Sequence, residues 1–410
     1  MLLPVLSGLY YRDGSLSAGL SAAGITMVAG ALMFLFCRGE TTDYISQREA
    51  MAIVTLGWSS AGLFAALPFY LGGEIPSFSD AFFESISGLT TTGASILTDI
   101  ERLSRGLHLW RCFIQWLGGM GIIVLGLAIL PLLGVGGMQL FKAEVPSPTP
   151  DKLKPRIRQT AGLLWKVYAL ISAAEVAILL LGGMTFFDAI CHTFTTMPTG
   201  GFSTKAASVA HYDSVFIDGA IIFFMMLAGI NFSLHYQLLR GKPLAFWRDA
   251  ECRFFLLVVF ALVMIVSWDI YGDHYAGVGE ALRFGAFQVV SIVTTTGFAT
   301  ADYEQWPGLS QMILLLCMLM GASAGSTGGG VKCLRVMLSF KYCYRELFSL
   351  VHPRAVAPIK INGQAVAEET IQSVMGFLAL YLGMFAVCAV MLAATGVDFV
   401  TAFGAVAACI

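Results

Sequence analysis

A chain of 410 residues that is 57% hydrophobic and only 12% charged, with a net charge of −2, carries about half the charge of a typical soluble domain. That composition excludes an ordinary soluble globule, and near-neutrality without a basic tail argues against a nucleic-acid partner. A mean hydropathy of +0.77 and 44 glycines point instead to a protein that crosses a bilayer several times.

The N-terminal stretch MLLPVLSGLYYRDG lacks a basic start and an A-x-A cleavage site, so it does not read as a signal peptide. A helix needs roughly 20 mostly apolar residues to cross the hydrocarbon core. Eight stretches meet that need: about 15–37, 51–72, 110–134, 163–183, 214–238, 254–272, 309–350 with a break, and 371–395. Placing the 38–50 loop inside and alternating from there puts eighteen of the Lys and Arg residues on the inner side and six on the outer side. Basic residues concentrate in cytoplasmic loops, so this orientation is the expected one. The nine cysteines are scattered singly and read as small buried hydrophobes rather than disulfides or zinc ligands.

Every second loop, always on the outer side, holds a semi-apolar stretch too short to cross. These are DAFFESISGLTTTGAS from Asp80, DAICHTFTTMPTGGFST from Asp188 and GAFQVVSIVTTTGFAT from Gly285, and a fourth begins at Thr401 as TAFGAVAACI. Ala81 to Gly93, Ala189 to Gly201 and Gly285 to Gly297 are each twelve residues apart. Applied to Ala402, that offset puts a fourth glycine at 414, beyond the last residue. Each unit reads span, short re-entrant helix, glycine-centred hydroxyl-rich turn, span. Twelve helical residues rise about 18 Å, enough to dip into the membrane without crossing it.

The chemistry of such a turn is specific. Non-helical backbone survives at membrane depth only when buried in protein or lining a watery path. Extended backbone there can aim carbonyls at a bare cation and replace its hydration shell. Glycine admits backbone angles closed to other residues, and threonine hydroxyls add oxygens. Carbonyls without a carboxylate suit a weakly hydrated monovalent ion better than calcium. One Thr-Thr-Thr-Gly alone would be an ordinary turn; three at matched offsets, on one side, are read as parts of an ion filter.

Other readings compete. A sodium- or proton-coupled secondary transporter of cations or another small solute would show inverted repeats and charged or broken-helix sites at the midplane. Here the repeats share one topology and midplane acids are scarce. A membrane enzyme would need a Ser/His, paired-Asp or paired-His constellation within spans, and none is evident. No enzyme activity and no cofactor are expected, the ion being cargo. Asp80 and Asp188 are expected to cap the re-entrant helices, and Glu84, one turn in, is a candidate for concentrating cations. Histidines 108, 192, 211, 235, 274 and 352 have no metal-ligand spacing, and Asn231 is expected to hydrogen-bond a neighbouring helix.

The stretches QWLGGMGIIVLGLAILPLLGVGGMQLFKAE (115–144), GASAGSTGGGVKCLRV (321–336), PRIRQTAGLLW and ELFSLVHPRAV carry a specific resemblance. They are similar to segments of the Trk, Ktr and plant HKT superfamily of potassium transporters, and within it to the bacterial TrkH/TrkG pore subunits. The resemblance implies an all-α polytopic membrane protein in which pseudo-fourfold repeats of helix–pore loop–helix surround one central pore, with an extra N-terminal helix. On that scheme 1–50 holds the extra helix and first cytoplasmic loop, 51–141 repeat 1, 142–239 a cytoplasmic loop and repeat 2, 240–350 repeat 3, and 351–410 a partial repeat 4. TrkH-like chains carry two helices before the first repeat, and YYRDG at 10–14 looks like the outer end of the first. The chain is therefore expected to be a portion of a longer pore protein.

By this resemblance the ion-coordinating backbone is Thr91, Thr92 and Gly93, then Thr199, Gly200 and Gly201, then Thr295, Thr296 and Gly297, with K+ as the bound ion. Glycine at all three key positions resembles the potassium-selective members. Repeat 2 departs from the pattern, with MPTGG where the others have TTTG. Below the filter, Gly321 to Gly330 contains five glycines, which no stable helix interior would favour, since each costs about 1 kcal/mol against alanine. In the family an intramembrane loop here acts as a gate, so Gly321, Gly325, Ser326, Thr327, Gly328, Gly329 and Gly330 are candidate gate residues, with a tight helix-packing patch as the alternative. A phosphate loop is rejected because Val331 and Lys332 follow Gly330 in place of GK[ST]. Lys332 and Arg335 either pair with carbonyls or acids near the gate or snorkel to the inner surface. The resemblance further implies a bacterial inner-membrane location, a homodimer and a TrkA-like cytoplasmic nucleotide-binding ring, with the basic segments 142–160, 240–253 and 332–360 as docking candidates.

Overall fold

A computed structural model describes residues 1–38, 47–121, 157–355 and 357–410. The chain is mostly helical, and its described residues form two compact units. One runs up to Phe224 and includes Thr296–Phe298; the other comprises Met225–Thr295 and Ala299–Ile410.

In the first unit, α1 (Leu2–Tyr11) and α2 (Ser15–Cys37) form a hairpin through Arg12, in left-handed conformation at φ 53°. They are followed by α3 (Gln47–Leu71), α4 (Phe78–Leu89), α5 (Arg105–Met120), α6 (Ile157–Leu181) and α7 (Phe186–Thr196). Helix α4 packs between α3 and α5, and α7 packs against α5 and α6. A core of Ala66, Phe69, Ala81, Leu107, Trp110 and Ile114 joins α3, α4 and α5, and the Trp110 indole donates to the Ala65 carbonyl at 3.0 Å.

The chain then enters α8 (Val215–Gly229), which crosses into the second unit, followed there by α9 (Phe232–Leu239), α10 (Ala245–Arg248) and α11 (Ala250–Ile270). Beyond these come α12 (Val278–Val293), α13 (Gly308–Met320), α14 (Cys333–Val351), α15 (Glu368–Ala393) and α16 (Phe399–Cys409). Helix α12 packs on α11 and α13, α14 on α11 and α15, and α16 on α13 and α15. Among the described residues the one element not helical in type is a small hairpin, β1 (Lys360–Ile361) with β2 (Gln364–Ala365), on the segment expected to lie inside.

Five of the eight expected spans are single helices of crossing length: Ser15–Cys37, Met51–Leu71, Gly162–Leu181, Ala250–Ile270 and Glu368–Ala393. The 309–350 span is broken as expected, into α13 and α14. The 110–134 span begins in α5 and continues outside the described residues. The 214–238 span is not the single helix its hydropathy suggests: α8 and α9 meet at 101° across Ile230 and Asn231. Polarity is distributed as in a membrane protein. Leu257, Phe260, Met264 and Trp268 lie exposed on α11, while Glu84, Gln115, Glu175, His192 and Gln288 are fully buried. Lipid gives apolar side chains no reason to turn inward, whereas ionisable groups must be sequestered in protein.

Candidate ion-conduction site

Helices α4, α7 and α12 are the expected re-entrant helices. Thr185 caps α7, its hydroxyl accepting from the Asp188 amide at 3.1 Å. Ser77 occupies the N-cap of α4. Asp80 and Asp188, expected as caps, lie one turn further on, where an acid favours the positive end of the helix dipole. At the outer start of α7, burial works against the Asp188 charge, but hydrogen bonds from Thr204 and Thr185 more than offset it, and its carboxyl sits below the ordinary aspartate range. The fourth re-entrant helix, α16, is capped by Asp398, which accepts from the Thr401 amide at 3.1 Å.

Each re-entrant helix ends in the same turn. Thr91, Thr199 and Thr295 adopt left-handed φ of 57°, 58° and 60°, and Gly93, Gly201 and Gly297 follow two residues later at 78°, 73° and 85°. A β-branched residue in this region is a real outlier, costing on the order of 1 kcal/mol or more. Finding it three times in one register shows that the departure in repeat 2 leaves the geometry intact: Thr199 is the counterpart of Thr91 and Thr295. The amides of these threonines donate back to Gly88, Thr196 and Ile292 at 3.1, 2.9 and 3.0 Å. Thr92 and Gly93 donate to the Ser87 carbonyl, and Gly200 and Gly201 to the equivalent Thr195 carbonyl, at 2.8–3.5 Å.

Within the first unit the turns lie against one another. A Cβ on Gly93 would collide with the Gly200 carbonyl, and one on Gly201 with the Thr296 carbonyl; Gly297 faces open space. Each of the first two glycines therefore abuts the carbonyl that precedes the key glycine of the next repeat. Gln115 on α5, fully buried, holds the second turn: its amide donates to Gly200 O at 2.8 Å and its oxygen accepts from Phe202 N at 3.3 Å. Sequence reasoning passed over Gln115, although a lone glutamine in an apolar span was a usable signal. Glu84 is not placed to concentrate cations. It is fully buried in an ion pair with Arg111 Nε at 2.6 Å.

In the second unit, residues 321–332 interrupt the span between α13 and α14 as irregular backbone, with positive φ at Gly321, Gly325, Gly330 and Lys332. This loop and the bend between α8 and α9 satisfy each other. The last carbonyls of a helix lack internal partners. Those of Ala228 and Gly229 accept from Thr327 N and Ser323 N at 3.4 and 3.0 Å, while Phe232 N donates to Gly325 O at 3.0 Å. Asn231 caps α9 by accepting from Ser233 N at 2.8 Å and lies beside Gly325. At the loop tip Gly329 N donates to Thr295 Oγ1 at 2.7 Å, joining it to the third turn.

Both ends of the loop converge on Glu251 in the first turn of α11. Its carboxylate accepts from Ala324 N at 2.6 Å and Leu334 N at 3.1 Å. Lys332 is buried and donates to the Gly328 carbonyl. Arg335 donates to Val331 O at 3.1 Å and stacks 4.1 Å from the centre of the Phe377 ring. Of the two alternatives for these cations, carbonyl pairing is the one realised. Ser326 is buried, its hydroxyl bonded to Ser323 O at 2.5 Å. Among the described residues no group of three or more His, Cys, Asp and Glu is arranged to hold a metal, and the oxygens of the turns are backbone and hydroxyl.

Comparison with known proteins agrees with this arrangement. A family model described as TrkH, cation transport protein, matches residues 21–410. The Trk system potassium uptake protein TrkH of Escherichia coli (strain K12) is 43% identical over 417 residues, covering 100% of this chain and 85% of that protein. The Trk system potassium uptake protein TrkG of the same strain is 34% identical over 421 residues, with the same coverage. A crystal structure of the potassium transporter TrkH from Vibrio parahaemolyticus matches with a TM-score of 0.89 at 38% identity, over 99% of this chain and 85% of that one. With a family match over nearly its whole length and relatives this similar, the chain is a multi-pass membrane protein that belongs to the TrkH family of cation transport proteins.

Proposed function

We propose that this chain is a potassium-uptake pore subunit of the bacterial inner membrane, passing K+ down its electrochemical gradient through a filter of backbone carbonyls. The observation that carries the reading is the threefold recurrence of one strained turn, Thr in left-handed conformation followed by glycine. Relatives 43% and 34% identical bear the name potassium uptake protein. An ion entering a negative interior gains about 2.3 kcal/mol per 100 mV, so uptake requires no chemistry within the chain. Each re-entrant helix delivers the negative end of its dipole to its own turn, which favours a cation there.

The coordinating positions are those of the three turns, Thr91 to Gly93, Thr199 to Gly201 and Thr295 to Gly297. The 321–330 loop is the gate, because it is irregular backbone inside a span and its tip is bonded to the third turn. Following the family resemblance, the pore works as a homodimer under a TrkA-like nucleotide-binding ring that acts on this loop from the inner side.

The test is rubidium uptake into liposomes holding the full-length protein under an inside-negative potential, with Gly201→Ser alongside. Uptake blocked far better by potassium than by sodium, and altered in that preference by the substitution, supports the filter. Uptake indifferent to both ions and to the glycine rejects it.

A further inference from the structure

The three complete repeats share a second feature that their turns do not explain. Three residues after Ala81, Ala189 and Gly285 come Glu84, His192 and Gln288, and all three are fully buried. Each braces the strand that leaves its own turn. Glu84 accepts from Ser95 Oγ at 3.0 and 3.1 Å and from Ile96 N at 3.1 Å. His192 Nε2 lies 3.2 Å from Ser203 Oγ, and Gln288 Nε2 donates to Ala301 O at 3.1 Å. Ser95 and Ser203 both stand two residues beyond their key glycine. A polar group buried at one register in three re-entrant helices is a repeated device rather than a local accident.

The brace of the first repeat differs in being charged and in reaching the second. Arg111 Nε donates to Glu84, its guanidinium lies 3.5 Å from the centre of the Phe202 ring, and its Nη1 donates to Ser203 O at 3.3 Å. His108 Nε2 lies 3.2 Å from the same carbonyl. One pair of charges thus holds Ser95 and Ile96 after the first turn and Phe202 and Ser203 after the second. Burying such a pair is rarely the most stable choice, since two apolar side chains of similar volume would do as well or better. What the pair supplies is directional and stiff: charge-assisted bonds to two strands at once.

We propose that Glu84 and Arg111 are positioning residues that fix the distance between the first and second filter strands and thereby set the preference for potassium over sodium. Two ions of equal charge are told apart by the size and stiffness of the oxygen cage around them. A tie between two of its walls acts on both properties. This inference rests on the filter reading above.

The experiment is rubidium uptake by the full-length protein in liposomes, read as the ratio of inhibition by potassium to inhibition by sodium. Glu84→Gln and Arg111→Lys are compared with the unaltered protein and with Gly201→Ser. Glu84→Gln should lower the ratio about tenfold, the factor that one lost charge-assisted hydrogen bond is worth. Arg111→Lys, which keeps the charge but not the stacked fork, should fall between it and the unaltered protein. A purely structural pair would reduce the amount of working protein and leave the ratio where it was; that result overturns the proposal. If neither variant accumulates in membranes, Ser95→Ala decides in the same way, since it removes only the braced hydroxyl. A Gly201→Ser protein of shifted ratio beside brace variants of unshifted ratio rejects the positioning role alone. If Gly201→Ser also leaves the ratio unchanged, the filter reading fails and the positioning role fails with it.

Discussion

Gly201 lies so close to the carbonyl oxygen of Thr296 that the smallest side chain would displace it. The glycine is thus fixed by two independent requirements, a φ of 73° and the neighbouring strand. Gly57, exposed in α3 with nothing near it, faces neither. Gly201→Ala should reduce rubidium uptake more than about tenfold, whereas Gly57→Ala should leave uptake intact and add about 0.5–1 kcal/mol of stability. Equal loss of uptake in both variants would show that the contact between the strands is immaterial.

Thr295 serves two purposes, since its backbone forms the third turn and its hydroxyl accepts from Gly329 N of the intramembrane loop. Thr295→Val keeps the shape and removes the acceptor. A single such bond is worth about 1 kcal/mol net, which corresponds to roughly a fivefold shift between held and released loop. If the loop is the gate, basal uptake should rise by about that factor. Unchanged uptake, with a cysteine at position 326 no more reactive than before, would argue that the loop tip is not held by this bond.

Glu251 joins the two ends of the same loop through the amides of Ala324 and Leu334. Glu251→Ala leaves both amides buried without their acceptor, a cost on the order of 3 kcal/mol. The thermal midpoint of the detergent-solubilised protein should fall by several degrees, with a smaller fall for Glu251→Gln. A midpoint equal to that of the unaltered protein would mean that the loop ends are held by the surrounding helices alone.

At the start of α7, Asp188 has a carboxyl held below the ordinary aspartate range by Thr204 and Thr185. A depressed folded-state value stabilises the protein above the unfolded aspartate pKa of about 3.9, and that contribution is lost as pH falls through the folded value. The unaltered protein should therefore lose thermal stability between about pH 5 and 3 more steeply than Asp188→Asn. Parallel curves would remove Asp188 from the list of groups that order the second re-entrant helix.

Hydropathy alone located the membrane spans that remain straight, because a helix facing lipid must be apolar along its whole length whatever it packs against. The twelve-residue offset between Ala81 and Gly93, Ala189 and Gly201, and Gly285 and Gly297 was legible for a similar reason. A short helix and a turn at membrane depth are local requirements, and glycine meets the second almost alone. The break at Gly321 to Gly330 was equally plain, since no helix tolerates that many glycines.

Other features depended on partners distant in the chain. The bend at Asn231 is invisible in an apolar run, because what permits it is a set of loop groups, the amides of Ser323 and Thr327 and the carbonyl of Gly325, that replace the lost helical bonds. Glu84 read alone as a candidate for concentrating cations and became half of a buried pair only once α5 brought Arg111 against it. Gln115, Glu251 and Lys332 likewise took their roles from backbone groups dozens of residues away or from an irregular loop. Periodicity records the solvent around a segment, whereas the placement of a buried polar group records which backbone atoms the tertiary structure has left unpaired.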